Sequence, residues 1–296
     1  METRRIGALE VSVVGLGCNN FGRRLDADAT ARVVDAALDA GVNFLDTADI
    51  YGGTLSEEYL GRTLRGRRDR VVLATKFGMK VDEARRGARP EYVKQACDDS
   101  LRRLATDHID LYQLHTPDET VPIADTLGAL DDLVRAGKVR EIGCSNFSVA
   151  QLEEADRAAR GAKFVSVQNE YSLLHREPEQ GVLDACARLG LAFIPYFPLA
   201  SGLLTGKYRA GQPAPAGSRL EDRVDDARLQ AAERLIAVAE GRGHTVLELA
   251  FSWLLTRPTV ASVIAGATSA AQVRSNVAAA GWRMTAADVG AVEGRA

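Results

Sequence analysis

Tyr51, Lys76, Asp46 and His115 are the residues of this chain whose types could together move a proton. A free phenol titrates near ~10, so at neutral pH it is a weak donor. An ammonium beside it favours the phenolate and eases proton transfer to a developing alkoxide. Lys76 can supply that ammonium, and Asp46 can keep it protonated and oriented. His115 can hydrogen-bond a carbonyl oxygen as negative charge grows there. No serine or cysteine is evidently paired with a base. The set therefore offers a proton and polarisation, and reduces a carbonyl only if a second group delivers hydride. A nicotinamide is the obvious source.

Taken singly, each residue has a plainer reading: a capping aspartate, a solvated lysine, a satisfied half-buried histidine. Their placement argues otherwise, because each follows a short apolar run. The runs are Val11–Val14, Val42–Leu45, Val71–Leu73, Ile109–Tyr112, Val139–Ile142, Phe164–Val167, Leu191–Ile194 and Val260–Val263. Between them lie Ala/Leu/Arg/Glu-rich stretches with helical spacing, as in Ala31, Val34, Ala37 and Leu38. Gly41, Gly137 and Gly190 stand where several of these helices must stop. The repeat is about 30 residues, the size of a βαβ step. Eight strands, each followed by a helix, suggest a (β/α)8 TIM barrel, with an open doubly wound sheet as the alternative. One domain over 1–296 is expected, with a mobile cofactor-covering loop at about 201–226. In a barrel the strand ends share one rim, where barrel enzymes keep their active sites.

Composition narrows the classes. The 296 residues carry 37 basic and 40 acidic side chains, a net charge of −3. That balance excludes a basic nucleic-acid binder and gives no attraction to an anionic membrane. No segment approaches the ~18 apolar residues of a membrane span. The apolar stretch after Arg4 and Arg5 is short and interrupted by Glu10, which argues against a secretory signal. Cys18, Cys97, Cys144 and Cys186 are scattered, as expected of a reduced cytoplasmic protein. The histidines form no H-E-x-x-H helix, so no metal is expected and a metal-dependent barrel hydrolase lacks its ligands.

The motifs are specific. They run N-F-L-D-T-A-D-I-Y-G (43–52), A-T-K-F-G (74–78), L-Y-Q-L-H-T-P-D (111–118) and G-C-S-N-F (143–147). V-Q-N-E-Y-S-L-L (167–174), Y-F-P-L-A-S-G-L-L-T-G-K-Y (196–208) and G-A-T-S-A-A-Q-V-R-S-N (266–276) complete the series. In this order and spacing the chain resembles an aldo-keto reductase from about Gly15 to Asn276. The resemblance implies a barrel, NADPH as cofactor and an aldehyde or ketone as substrate. It implies Asp46, Tyr51, Lys76 and His115 as the catalytic tetrad, with Tyr51 as proton donor. Ser145, Asn146 and Gln168 match residues that bond the nicotinamide carboxamide, and Tyr196 matches the aromatic stacked on its ring. Pro198, Leu199, Ser201 and Lys207 fall in the pyrophosphate loop, and Arg219 where relatives use a basic residue against a cofactor phosphate. Gly266, Thr268, Gln272 and Asn276 match the adenosine-phosphate and adenine contacts, at a helix start that favours phosphate.

Departures from the pattern leave NADH open beside NADPH. Ser275 replaces a common acid, and no Lys or Arg stands at Thr268 although Arg274 is close; separately, Phe197 replaces a common serine and is expected to reshape the pocket floor. Two nucleotide motifs fail: Gly15-Leu16-Gly17 has Asn20 at the third glycine position, and Thr205–Tyr208 lacks the phosphate-loop residues. Phe21, Ile50, Phe77 and Phe147 are expected to line the substrate pocket. Phe44 and Phe193 are expected in the core, and Asp49 as a structural partner near Tyr51. The competing class is an NADPH-binding regulatory subunit of the potassium-channel-associated type; such relatives tend to carry Asn at the position of His115, so catalysis is favoured. With no exposed heptad or interaction tail, a monomer is expected.

Overall fold

Thr3–Ile6 (β1) and Leu9–Ser12 (β2) pair as an antiparallel hairpin ahead of everything else. The barrel strands follow: Val14–Gly17 (β3), Phe44–Asp46 (β4), Val72–Phe77 (β5), Ile109–Leu114 (β6), Val139–Ser145 (β7), Phe164–Glu170 (β8), Ala192–Tyr196 (β9) and Val263–Gly266 (β10). In this computed structural model, which describes residues 1–214, 218, 220 and 225–294, these eight strands form one parallel sheet in the order β10-β3-β4-β5-β6-β7-β8-β9. The seam closes just before β10. Phe193 N–H donates to the Thr259 carbonyl at 2.7 Å, and Ala261 N–H donates to the Phe193 carbonyl at 3.0 Å. Closure decides for the (β/α)8 barrel over the open doubly wound sheet.

Helices α1 (Ala27–Asp39), α2 (Leu55–Thr63), α3 (Pro90–Leu104), α4 (Ile123–Arg135), α5 (Val149–Ala158) and α6 (Val182–Leu189) return the chain between β3 and β9. Their starts are written locally. Asp26 accepts the Ala29 N–H ahead of α1, Pro90 opens α3, and Ser148 with Gln151 forms a capping box on α5. The last crossover is longer than the sequence rhythm implies. It holds both α7 (Asp226–Glu240) and α8 (Val246–Leu255) before β10, after which come α9 (Ala270–Ala279) and α10 (Ala286–Val292). Of the expected mobile loop, 215–217, 219 and 221–224 lie outside the described residues. Among the described residues no helix is long and apolar enough to cross a membrane, and no three His, Cys, Asp or Glu gather as a metal site.

Two terminal runs differ from their sequence reading. Val11–Val14 is not one strand: Ser12 turns its hydroxyl onto the Val14 carbonyl (2.7 Å) and its N–H onto Asn43 Oδ1 (2.7 Å), breaking the run at Val13. Val260 belongs to the seam, and the strand proper starts at Val263.

Side-chain alternation then sorts the barrel. Phe44, Ala74, Leu111, Ala192, Ile194 and Ile264 pack inside it, and Ile6, Leu9 and Val11 of the hairpin join them as a floor. Leu45, Leu73, Tyr112, Phe193 and Val263 face the helices instead. Arg4 pins the floor: its guanidinium donates to the carbonyls of Val260 (2.6 Å) and Leu255 (2.8 Å). Arg4→Ala strands those acceptors and is expected to cost about 1–3 kcal/mol. Urea unfolding checks this, and catalytic constants of the folded variant should not change.

Candidate active site

Above the apolar floor the inward positions turn polar. Asp46 ends β4, Lys76 lies one residue from the end of β5, Gln113 sits late in β6 and Gln168 late in β8. All four are buried, Lys76 completely. Lys76 Nζ donates to Asp46 Oδ2 at 2.6 Å and to the Thr47 carbonyl at 2.9 Å. Asp46 Oδ1 takes the amides of Gln113 (3.1 Å) and Gln168 (2.9 Å). The carboxylate thus has three donors and the ammonium has its counter-charge, the condition under which a buried pair is tolerated. Gln113 and the Thr47 carbonyl escaped the sequence reading. The inward parity of Asp46, Lys76 and Gln113 on successive strands was the signal for the glutamine.

Tyr51 enters from a tight turn after β4. Gly52 (φ 60°) and Gly53 (φ 65°) bend it. At Gly52 any Cβ would lie 2.5 Å from the Phe21 carbonyl oxygen, so only glycine lets the turn approach the β3 loop. Lys76 Nζ lies 5.4 Å from the Tyr51 ring centre, close enough for its charge to act on the phenol. His115, just past β6, meets Tyr51 edge to face with ring centres 5.9 Å apart. The four expected residues therefore converge at one mouth.

Their electrostatics depart from expectation at one point. Burial raises the Tyr51 pKa above its ordinary 10.0; Lys76 pulls it down without winning, and Asp46 pushes it further up. The phenol is thus more firmly protonated than a free one, because the desolvation of a phenolate outweighs one already-paired ammonium. For Lys76, burial acts to lower the pKa, but Asp46 and Tyr51 leave it raised above 10.5. Burial and then the Lys76 charge push His115 down to about 3, so its imidazole is neutral. His115 Nδ1 is buried without a partner.

Beside the tetrad lies a second group of expected residues. Asn146 adopts φ 63°, a conformation asparagine tolerates. Its Nδ2 donates to the His115 carbonyl (2.9 Å) and Ser145 Oγ (3.1 Å), and its Oδ1 accepts the Tyr196 hydroxyl (2.8 Å). Ser145 Oγ donates to the Gln168 carbonyl at 2.6 Å. The half-buried Tyr196 ring ends β9 and leads into Pro198 and Leu199. Phe197, Ala200 and Ser201 then carry positive φ, and Lys207 folds back along Gly202. Across the seam Gly266 ends β10, and Thr268 offers its N–H and hydroxyl to Gln272 Oε1 at 2.8 and 3.1 Å. Ser269 caps α9, on which Asn276 is buried. Arg219 lies outside the described residues.

The expected pocket residues do not gather. Phe21 and Phe77 are fully buried in the helix-facing core, Phe77 stacked on Tyr112 at 4.7 Å. Strand parity explains Phe77: with Lys76 inward, its neighbour must point out. Phe147 packs edge-on against Phe164 and borders a cavity of about 540 Å³ with Leu114, Pro117 and Pro122, to which none of the tetrad contributes. Ile50 is partly buried and adjoins Tyr51 in the chain. Phe44 and Phe193 lie in the core, as read.

The fit to a nicotinamide cofactor rests on the donor set. The half-buried Tyr196 ring, the Asn146 and Gln168 amides and a hydroxyl-capped helix start are groups that could hold an aromatic amide and its phosphates. Comparison with known proteins gives the same direction. The profile of the Aldo/keto reductase family matches residues 13–295. The "Uncharacterized oxidoreductase YrpG" of Bacillus subtilis (strain 168) is 35% identical over 94% of this chain and 91% of its own length. "Aldo-keto reductase YhdN" of the same organism is 34% identical over 95% and 88%. The holo form of aldo-keto reductase AKR11C1 from Bacillus halodurans superposes with a TM-score of 0.86 at 33% identity, covering 100% of this chain and 96% of that one. The chain belongs to the aldo/keto reductase family and is an oxidoreductase that reduces carbonyl groups with a nicotinamide cofactor.

Proposed function

We propose that the protein reduces an aldehyde or ketone to an alcohol with NADPH, and that Tyr51 gives the proton to the carbonyl oxygen. The carrying observation is the buried Lys76, clamped to Asp46 at 2.6 Å with its Nζ 5.4 Å from the Tyr51 ring centre. When bound, the dihydronicotinamide supplies the hydride. Tyr51 is protonated throughout the neutral range and meets the growing alkoxide as an acid. Lys76 stabilises the phenolate that remains, and Asp46 keeps Lys76 charged and aimed. A buried lone pair without a partner costs less than a buried N–H without one, so the His115 proton belongs on Nε2, where it donates to the substrate oxygen.

Asn146, Gln168 and Ser145 would hold the carboxamide, Tyr196 would take the ring, and Pro198, Leu199, Ser201 and Lys207 would take the pyrophosphate. Gly266, Thr268, Gln272 and Asn276 would take the adenosine end. Arg274, on the first turns of α9, supports NADPH over NADH. One chain holds every named residue, so a monomer suffices, and four free, buried cysteines suit a cytoplasmic setting.

The test is oxidation of each reduced nicotinamide with an aromatic aldehyde as acceptor. We expect kcat/KM at least about tenfold higher with NADPH, the worth of one good phosphate contact. Equal use of both cofactors overturns the NADPH assignment. A tight NADPH complex inert toward a broad carbonyl panel overturns the activity.

A further inference from the structure

The turn that carries Tyr51 has a second acid on its hidden side. Asp49 is 2% exposed. Its N–H donates to the Lys76 carbonyl at 3.1 Å, and the Tyr51 N–H donates to the Ala48 carbonyl at 3.2 Å. Asp49 thus ties the tyrosine turn to the strand that bears the lysine. Its carboxyl oxygen Oδ1 is buried with no partner.

The charged and titratable groups around it are Glu57 from α2, Arg103 and Tyr92 from α3, Lys76 from β5 and Tyr112 from β6. Both cations are bonded to other carboxylates. Arg103 Nε bonds Glu57 Oε2 at 2.6 Å, and its Nη2 donates to Ser100 Oγ at 3.2 Å. Lys76 is committed to Asp46 and Thr47. Glu57 Oε1 is filled by the Thr75 hydroxyl at 2.6 Å, and the buried Tyr112 hydroxyl finds no partner. An ionised Asp49 would therefore feel the Glu57 charge with its buried Oδ1 unpaired.

We propose that Asp49 is a positioning residue that must hold a proton for Tyr51 to stay in register with Lys76, and that its ionisation loosens the turn. The inference rests on the reading of Tyr51 as proton donor. Burial first, and then the Glu57 charge, raise Asp49 to about 7, whereas Tyr51 and Lys76 are both shifted up from values near 10. The chemical step should consequently weaken through neutrality, while the tyrosine and lysine are still fully protonated.

Single-turnover oxidation of bound NADPH by an aldehyde isolates that step. In the parent enzyme the rate should fall about tenfold between about pH 6 and pH 8, as one group near 7 dictates. Asp49→Asn keeps the shape of the neutral acid, so it should match the parent at the lower pH and lose less than about twofold by the upper. Glu57→Gln removes the facing charge and should move the fall toward lower pH. A fall that stays in place in either variant overturns the proposal, as does an Asp49→Asn enzyme that binds cofactor but is inactive at about pH 6.

Stability gives a readout independent of turnover. An acid whose folded pKa lies above its unfolded value weakens the fold as pH climbs from about 4 to 7, and by a constant amount above that. The Tm advantage of Asp49→Asn over the parent should therefore grow across that interval; a gap that does not change with pH overturns the proposal. Tyr51→Phe separates the two readings. Full activity in that variant defeats the proton-donor assignment, whereas an inactive Tyr51→Phe beside an unshifted Asp49→Asn profile defeats only this inference.

Discussion

Tyr51→Phe is expected to lower the rate of carbonyl reduction by about 10²–10⁴-fold, the usual worth of a positioned general acid. The loss should fall on the chemical step and leave the dissociation constant for NADPH within about twofold, because the phenol is proposed to touch the substrate oxygen and not the cofactor. Fluorescence titration of NADPH and single-turnover kinetics measure the two quantities. The ring should stay where it is, since Gly52 and Gly53 set the turn and His115 packs against the ring edge. A variant that retains full turnover would show that another group donates the proton. The raised pKa of Tyr51 adds a sign to this expectation: the parent should not lose its acid by phenol ionisation until pH exceeds the ordinary phenol value.

The second large effect concerns the pair beneath the phenol. Lys76→Met leaves the Asp46 carboxylate buried with only two amide donors, at Gln113 and Gln168. Removing one partner of a buried pair costs about 3–5 kcal/mol, and that is the expected loss in urea unfolding. Carbonyl reduction should fall to the level of Tyr51→Phe or below, because the phenolate formed would have no neighbouring cation. Asp46→Asn should be costly alone yet partly relieve Lys76→Met in the double variant, since the bare carboxylate is then gone. Strict additivity of the two would mean that they do not act as a unit. The pH sign follows from the raised Lys76 pKa. The pair's stabilisation is whole below the ordinary lysine value and is lost only as pH passes the higher folded value.

Much of this was legible in the residues, and for identifiable reasons. Asp46, Lys76 and His115 sit at or just past strand ends, and parallel strands leave their C-terminal ends at one rim, so convergence follows from the alternating pattern. Gln113 could have been added by counting inward positions. Phe77 faces the helices although it adjoins Lys76, because neighbouring strand residues point opposite ways. The direction of the Tyr51 shift lay beyond sequence, because it is set by how much water the folded turn excludes. The break at Val13 depended on Ser12 meeting Asn43 across the fold, and no local pattern records that contact. The unpartnered oxygen of Asp49 belongs to the same class, since only the packed arrangement reveals that the nearby cations are bonded to other carboxylates.

The cork at the bottom of the barrel has a consequence for how the molecule is made. Arg4 and Val260 stand 256 residues apart in sequence, yet they bond beside the seam between β9 and β10. A ribosome must release nearly the whole polypeptide before that ring can shut. Until then the nascent sheet carries two raw edges and an apolar hollow open from below, features that invite association with other chains. Contacts this distant also slow the search for the native arrangement. Assembly should therefore end in one late, concerted snap of the ring rather than stave by stave.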